Sequence, residues 1–109
     1  KLGGTISETT DRTEAMRGAH VLYVKEWSST RHYGDTVADK KLRDELTDWC
    51  VDEQWFQGAQ ADCRLMHSMP VRRGVAVQDV VLDGKRSVLT HQAENRMWSQ
   101  MAVLHQLMR

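Results

Sequence analysis

The chain's only proline, Pro70, closes the short apolar run that most constrains the fold. Residues 63–66 form that run, which is typical of a buried strand, and proline ends a strand because it has no backbone N–H to donate to a sheet. The segment 67–74 then gathers a histidine, a serine and the pair Arg72 and Arg73 at the strand's carboxyl end. Ligands bind at that edge of open α/β sheets, and paired guanidiniums suit a phosphate or a carboxylate. A solvated basic turn is the alternative interpretation, and these residues alone leave both open.

Strand-like and helix-like segments alternate along the whole chain. A second β-rich apolar run at 20–24 leads into Lys25-Glu26-Trp27, so a polar segment again follows a strand directly. The alternation predicts an α/β domain with about four short, mainly parallel strands, crossover helices and a long C-terminal helix. The predicted strands are 5–9, 20–24, 63–66 and 87–89, and the predicted helices are 13–17 with Thr10-Asp11 as its cap, 36–49, 51–57, 75–82 and 93–108. Both polar segments should then meet at the carboxyl edge of the sheet.

The last predicted helix carries the clearest periodic pattern. Its apolar residues recur at spacings of three and four, which places them on one face: Ala93, Met97, Met101, Leu104 and Met108. A methionine and aromatic stripe of this kind, which here includes Trp98, can bind a partner, but it is more often core, and we interpret it as core packing. Near the start of this helix, Glu94, Asn95 and Arg96 are either solvated or, as the positive potential of a helix amino end favours, Arg96 turns toward the sheet edge.

The composition is that of one small globular domain. The 109 residues are 40% hydrophobic and 28% charged, and 15 basic residues balance 15 acidic ones, so no overall field favours nucleic acid. No apolar run approaches about 18 residues, and no basic segment precedes an apolar one at the amino end, so we expect a cytoplasmic protein without a membrane segment. Cys50 and Cys63 fit the reduced thiols of that compartment.

Residue spacing disfavours two kinds of catalytic site. The five histidines form no i, i+4 pair and have no acidic partner at zinc-like spacing, and the two cysteines lack metal-ligand spacing, so we expect no metal and no cofactor. Ser68 follows His67 directly, and adjacent strand residues point to opposite faces. The two side chains therefore do not make a nucleophile and base merely as neighbours, and a serine hydrolase is disfavoured.

Taken together, these segments resemble the aspartate/ornithine carbamoyltransferase family. The resemblance spans essentially the whole chain and rests on these motifs: 18–27, His67-x-x-Pro70 with the Arg72-Arg73 pair, Val81-Leu82-Asp83-Gly84 before Arg86-Ser87-Val88, and Gln92-Ala93-Glu94-Asn95-Arg96. It implies that residues 1–109 are the C-terminal portion of the second, amino-acid-binding domain, a partial Rossmann-like domain. The family's amino-terminal carbamoyl-phosphate domain has no counterpart between Lys1 and Arg109, so the chain alone is expected to be inactive.

The resemblance also implies roles for individual residues. Lys25 stands where ornithine carbamoyltransferases typically carry an aspartate, which favours the N-acetylornithine and N-succinylornithine carbamoyltransferases, whose substrates keep the carboxylate but have an uncharged α-amine. By similarity, Lys25, Met69 and Arg72 would bind the ornithine derivative. Ser68, Met69 and Arg96 would bind carbamoyl phosphate, and Arg96 would act in catalysis by polarising the carbamoyl oxygen.

Departures from the family pattern narrow these expectations. Ser68 and Met69 replace the usual cysteine and leucine. Ala76 replaces the lysine that becomes carboxylated in N-acetylornithine enzymes, which disfavours an acetylated substrate relative to a succinylated one or to an uncharacterised relative of these enzymes. The resemblance implies a parent enzyme that carbamoylates the δ-amine of an N-acylated ornithine in arginine biosynthesis, as a homotrimer. Ornithine itself as substrate, and a truncated non-catalytic domain, are the alternatives. The isolated chain is expected to form a dimer or higher oligomer through surfaces that the absent domain would cover.

Overall fold

Two short apolar runs form the parallel strands at the centre of the domain. The computed structural model of the protein describes residues 3–109. Its elements follow in this order: α1 (Arg12–Met16), β1 (Val21–Val24), α2 (Thr36–Glu45), β2 (Arg64–His67), α3 (Asp79–Leu82) and α4 (Leu89–Leu107), with 3₁₀ turns at Thr47–Trp49 and Glu53–Phe56 between α2 and β2. β1 and β2 pair in parallel, with Val21 opposite Arg64 and Val24 opposite His67. The predicted α/β class, with a parallel sheet, crossover helices and a long C-terminal helix, is confirmed.

The predicted number of strands is wrong, because two of the four form a sheet. Residues 5–9 are irregular and exposed. Ile6 is the only large apolar side chain in that stretch, so burial cannot offset the entropy of ordering it. The predicted strand 87–89 is reduced to one parallel bridge between Ser87 and Leu65, since α4 already begins at Leu89.

The hydrophobic core gathers around β2. Leu65 is fully buried: its N–H donates to the carbonyl oxygen of Arg86, and its own carbonyl oxygen accepts from the N–H of Val88. The core consists of Met16, Val51, Phe56, Cys63, Leu65, Ala76, Val77, Val81, Leu82 and Leu89. α2, in contrast, buries no residue. The strand that leads into residues 67–74 is thus anchored in the core.

Several helix boundaries depart from the sequence prediction: the predicted helix 75–82 is shortened to Asp79–Leu82, and the predicted helix 51–57 is a 3₁₀ turn at Glu53–Phe56. The predicted cap of α1 is confirmed, since the Asp11 carboxylate accepts from the backbone N–H groups of the first turn. α2 ends at Glu45 instead of residue 49, because Leu46 leaves helical geometry (φ −105°, ψ 47°) and a 3₁₀ turn follows. α4 begins at Leu89 instead of Ala93, since Leu89 extends the apolar spacing by one turn and is buried in the core.

Most of α4 is exposed, so the interpretation of its stripe as core is wrong. Every residue from Ala93 onward is exposed. The large apolar side chains among them are Met97, Trp98, Met101, Val103, Leu104, Leu107 and Met108. The stripe is real, but within residues 3–109 only the first turn of α4 packs into the core. No helix of the described chain, α4 included, is long and apolar enough to cross a membrane.

Candidate functional site

Parallel pairing brings two polar segments side by side. Because Val24 pairs with His67, the segments 25–27 and 68–74 leave β1 and β2 at the same end of the sheet. We refer to these two segments, together with His67, as the carboxyl edge. Hydrogen bonds join the segments directly, so the prediction that they meet there is confirmed.

Glu26 and Arg72 make that junction. The backbone N–H of Arg72 donates to Glu26 Oε1 at 2.6 Å, Arg72 Nε donates to Glu26 Oε2, and Arg72 Nη2 donates to the carbonyl oxygen of Trp27 at 2.7 Å. Burial favours the neutral carboxyl group, but the hydrogen bonds and the charge of Arg72 outweigh it and hold the pKa of Glu26 below its usual value. The pair is therefore ionised at neutral pH and fixes Arg72 against the end of β1.

His67 lies buried beside this ion pair. Its Nδ1 faces the carbonyl oxygen of Ser68, within hydrogen-bonding distance. Its Nε2 lies 3.8 Å from Glu26 Oε1 and has no hydrogen-bond partner among residues 3–109. The backbone N–H of His67 donates to Gln92 Oε1 at 3.1 Å, and Gln92 Nε2 donates to the Tyr23 hydroxyl at 3.2 Å. Gln92 thus ties the first turn of α4 to both strands.

Arg73 contacts α3 instead of the carboxyl edge. Its guanidinium donates to Asp79 at 2.8 Å and to Asp83 at 2.8 and 2.9 Å, and all three side chains are exposed. Hydrogen bonding to Asp83 and Asp79 raises the pKa of Arg73, and the bond from Arg73 lowers the pKa of Asp83. Of the two interpretations left open for the arginine pair, a solvated basic turn describes Arg73, and only Arg72 belongs to the carboxyl edge.

A cleft of about 470 Å³ opens between the carboxyl edge and α2. Arg72 lines it from the edge, and Lys40 and Arg43 line it from α2. Each of these cations has a carboxylate partner, since Lys40 pairs with Asp44 at 2.8 Å and Arg43 pairs with Asp39. A guanidinium or ammonium group keeps further N–H donors beyond those used in one ion pair. The three side chains therefore keep N–H donors beside the cleft, which is also lined by Asp44.

Three of the predicted site residues stand exposed at the carboxyl edge. They are Lys25, Ser68 and Met69, and the peptide bond between Met69 and Pro70 is cis. Because Val24 pairs with His67, Lys25 and Ser68 each follow a paired residue at this end of the strands. Among residues 3–109, no group of three His, Cys, Asp or Glu side chains is arranged to hold a metal ion.

Arg96 occupies a different place from the one expected. Because α4 begins at Leu89, Arg96 lies in the helix interior, and the argument from the potential of a helix amino end is wrong for it. It is exposed and lines a groove with Ser99 and Val103. The residue of its motif that contacts the strands is Gln92, at the start of that motif.

The sequence interpretation assigned no role to Glu26 or Gln92. Glu26 had one available signal, since it is the only acidic residue in a predicted edge segment that faces a run with two arginines. Gln92 had a weaker signal, because it opens the motif that ends in Arg96. Neither partner follows from spacing, since Glu26 and Arg72 are 46 residues apart and Gln92 and Tyr23 are 69 residues apart.

Comparisons with known sequences agree with this geometry. Residues 1–107 match the model of the aspartate/ornithine carbamoyltransferase family, Asp/Orn binding domain. The ornithine carbamoyltransferase of Ralstonia nicotianae is 39% identical over 95 residues, which cover 87% of this chain and 30% of that protein. The enzyme of the same name from Methanosarcina mazei is 35% identical over 108 residues, covering 99% of this chain and 35% of that protein.

Solved structures give the same assignment. Ornithine carbamoyltransferase from Pyrococcus furiosus superposes with a TM-score of 0.73 at 34% identity, covering 86% of this chain and 29% of that one. An N-acetyl-L-ornithine transcarbamylase superposes with a TM-score of 0.75 at 30% identity, covering 88% and 29%. The chain thus spans about a third of the length of the relatives that it matches. On these grounds, the chain belongs to the aspartate/ornithine carbamoyltransferase family.

Proposed function

We propose that the protein containing this chain transfers the carbamoyl group of carbamoyl phosphate to the δ-amine of an ornithine whose α-amine is acylated, in arginine biosynthesis. The observation that carries this proposal is the ion pair in which both carboxylate oxygens of Glu26 accept hydrogen bonds from Arg72. A free α-ammonium group needs an anion beside it, and Glu26 is the only carboxylate in the segments 25–27 and 68–74. Because Arg72 already neutralises it, the edge suits a substrate whose amine is uncharged.

The cations of the edge suit the carboxylate that such a substrate keeps. Lys25 is exposed at the end of β1, and the Arg72 side chain is 40% exposed beside the cleft. In the proposal, Lys25, Met69 and Arg72 bind the ornithine derivative. Ser68 and Met69 bind carbamoyl phosphate through the end of β2.

Arg96 is proposed to bind carbamoyl phosphate and to act in catalysis. The neutral δ-amine attacks the carbonyl carbon, negative charge grows on the carbonyl oxygen, the C–O bond to phosphate breaks, and the amine loses a proton. In the proposal, the guanidinium of Arg96 donates to that oxygen and stabilises the charge, and one such donor typically contributes about 2.7–4 kcal/mol to transition-state stabilisation. Holding the two substrates together supplies a further part of the rate without a metal or cofactor.

The relatives support the general reaction and favour two different acceptors. A mutant of an N-acetyl-L-ornithine transcarbamylase, at 30% identity and a TM-score of 0.74, was solved in complex with carbamyl phosphate and N-succinyl-L-norvaline. The 39% identity to an ornithine carbamoyltransferase favours ornithine as the alternative acceptor. Ala76 is buried and stands where N-acetylornithine enzymes carry a lysine. In our proposal, the absence of that lysine favours the succinylated acceptor.

We propose that the full-length protein is a cytoplasmic homotrimer. Residues 1–109 are proposed to be the C-terminal portion of its amino-acid-binding domain. The carbamoyl-phosphate domain is proposed to lie outside the 109 residues. Sedimentation of the full-length protein tests the assembly, and a species other than a trimer would contradict it.

The acceptor is tested by assaying the full-length protein with ornithine, N-acetylornithine and N-succinylornithine side by side. We expect the highest kcat/KM with an N-acylated substrate, and Lys25→Met should lower it while Lys85→Met, which removes an exposed lysine after α3, should not. Preference for ornithine would show that the interpretation of Lys25 and Glu26 is wrong. Citrulline-type product is measured in each case, so a change of acceptor and a loss of activity are distinguished.

A further inference from the structure

Glu26 holds Arg72 at both the backbone and the side chain. Its Oε1 takes the backbone N–H of Arg72 and its Oε2 takes Nε, while the Trp27 carbonyl oxygen takes one N–H of Nη2. A guanidinium has five N–H donors. Within the described part of the chain, the Nη1 group and the second N–H of Nη2 make no hydrogen bond. The donors left over are thus held in one fixed orientation.

These remaining donors belong to a side chain that lines the cleft. Arg72 is 40% exposed there, with Trp27 beside it and Lys40 and Arg43 across from it on α2. A free arginine side chain must give up rotamer freedom when it binds a ligand, whereas one clamped beforehand has already given it up. The clamp therefore favours a planar, two-oxygen ligand such as a carboxylate, which a guanidinium binds through two parallel hydrogen bonds.

We infer that Glu26 is a positioning residue that orients Arg72 for the α-carboxylate of the ornithine-type acceptor. The inference rests on the proposed function in one respect, namely that this carboxylate is the ligand of Arg72. Holding one rotamer-rich side chain in advance corresponds to about a 2- to 12-fold gain in affinity. Glu26 does not touch the substrate, so its effect acts wholly through Arg72.

A positioning role and a simple charge effect predict different changes in affinity for two substitutions of Glu26. Glu26→Asp keeps the charge but shortens the side chain, so the clamp is lost. Glu26→Gln keeps the length but places an NH₂ group against one of the two Arg72 donors, so half of the clamp is lost as well. If Glu26 acted only as a negative charge near an anionic ligand, Glu26→Asp would change nothing and Glu26→Gln would tighten binding.

The experiment measures kcat and KM of the full-length protein with the acceptor that the wild type prefers and with the α-carboxamide analogue of that acceptor. We expect Glu26→Asp to raise KM for the carboxylate by about 2- to 12-fold with little change in KM for the carboxamide. Glu26→Gln should also raise KM for the carboxylate, and it serves as the second variant if Glu26→Asp does not fold. The matched control is Asp83→Asn, which loosens the neighbouring Arg73 in the same way and should leave both KM values unchanged.

The outcomes separate the inference from the proposed function. An unchanged KM in both Glu26 variants, a lower KM in Glu26→Gln, or an equal rise for carboxylate and carboxamide overturns the positioning role. A wild type that prefers ornithine overturns the proposed acceptor but not the inference, because ornithine and its N-acylated forms share the α-carboxylate. Activity on none of these acceptors overturns both.

Discussion

The carboxyl edge is rich in polar and charged side chains, and the outer part of α4 is rich in apolar ones. The two regions differ in how far contacts within the chain pair or bury these side chains. At the edge, Glu26 and Arg72 find each other across 46 residues of sequence, and His67 is 1% exposed. On α4, Met101 and Leu104 stand 52% and 57% exposed. The difference shows that the polar edge is completed largely by contacts within this chain, whereas the apolar face of α4 is not.

The two regions also form for different reasons. The edge depends on the register of β1 and β2, which is fixed by the buried strand at 64–67. α4 depends on a local helical pattern and on one buried turn at Leu89. Helices can form with little tertiary support if they are long, and α4 has 19 residues.

The largest expected effect concerns whether the carboxyl edge is sufficient for activity without the rest of the protein. We expect the 109-residue chain to show no measurable carbamoyl transfer. Each charge-assisted hydrogen bond to a phosphate is worth about 1.5–3 kcal/mol, so lacking two or three of them weakens carbamoyl phosphate binding by about 10²–10⁶-fold. Calorimetric titration of carbamoyl phosphate into the chain and into the full-length protein measures the difference. A micromolar dissociation constant for the chain alone would show that the edge holds the anion unaided.

Matched leucine truncations sharpen the contrast between the strand and the helix. Leu65→Ala in β2 should lower the free energy of unfolding by about 2–5 kcal/mol, because Leu65 is fully buried and leaves a cavity. Leu104→Ala in α4 should change it by less than about 0.5 kcal/mol, since that side chain is exposed. Urea unfolding of the 109-residue chain, at a concentration low enough to keep it monomeric, measures both values. Equal losses would mean that α4 is covered in solution by another part of the structure or by a second copy.

The exposed face of α4 leads to a prediction about self-association. We expect the isolated chain to form dimers or higher oligomers, because apolar side chains on one helical face gain about 1.5–3 kcal/mol each when buried. Met101→Lys should then weaken association by about 10- to 150-fold. Val37→Lys, which replaces an exposed apolar residue on α2, is the control and should not. Sedimentation velocity over a range of concentrations reports both, and a clean monomer of the unmodified chain at high concentration contradicts the prediction.

The smallest expected effect concerns the pH dependence of the edge. Glu26→Gln should lower the free energy of unfolding by about 1–2 kcal/mol at about pH 7, allowing for partial exposure of the pair. The pKa of Glu26 is lowered from 4.5 in the folded chain, so this stabilisation is complete above the unfolded pKa and is lost as the pH falls through the folded pKa. Chemical denaturation at about pH 7 and about pH 3 should therefore show a larger difference between the variants at the higher pH.

Asp83→Asn is the control for this measurement. The pKa of Asp83 is lowered as well, so its contribution follows the same pH direction, but the Asp83 side chain is 65% exposed and solvent screens it. The loss should be smaller than for Glu26→Gln. A Glu26→Gln effect that persisted undiminished in acid would mean that the ion pair with Arg72 is not its cause.

Local sequence patterns determined where the strands and helices lie along the chain. The apolar runs predicted β1 and β2, the carboxylate of Asp11 predicted the cap of α1, and the three- and four-residue spacings predicted α4. Strand alternation further predicted that residues 25–27 and 68–74 share one edge, since parallel strands point the same way. These inferences succeed because backbone hydrogen bonding and side-chain periodicity are set by neighbours in sequence.

The tertiary structure alone decided which polar groups pair and which apolar face is covered. Arg72 and Arg73 are adjacent and chemically identical, yet one is held by Glu26 and the other by Asp79 and Asp83. Spacing shows which residues share a face of α4, but it does not show what packs against that face. The physical reason is the same in both cases: ion pairing and burial depend on distances between segments far apart in sequence, and those distances exist only once the strand register and the core are formed.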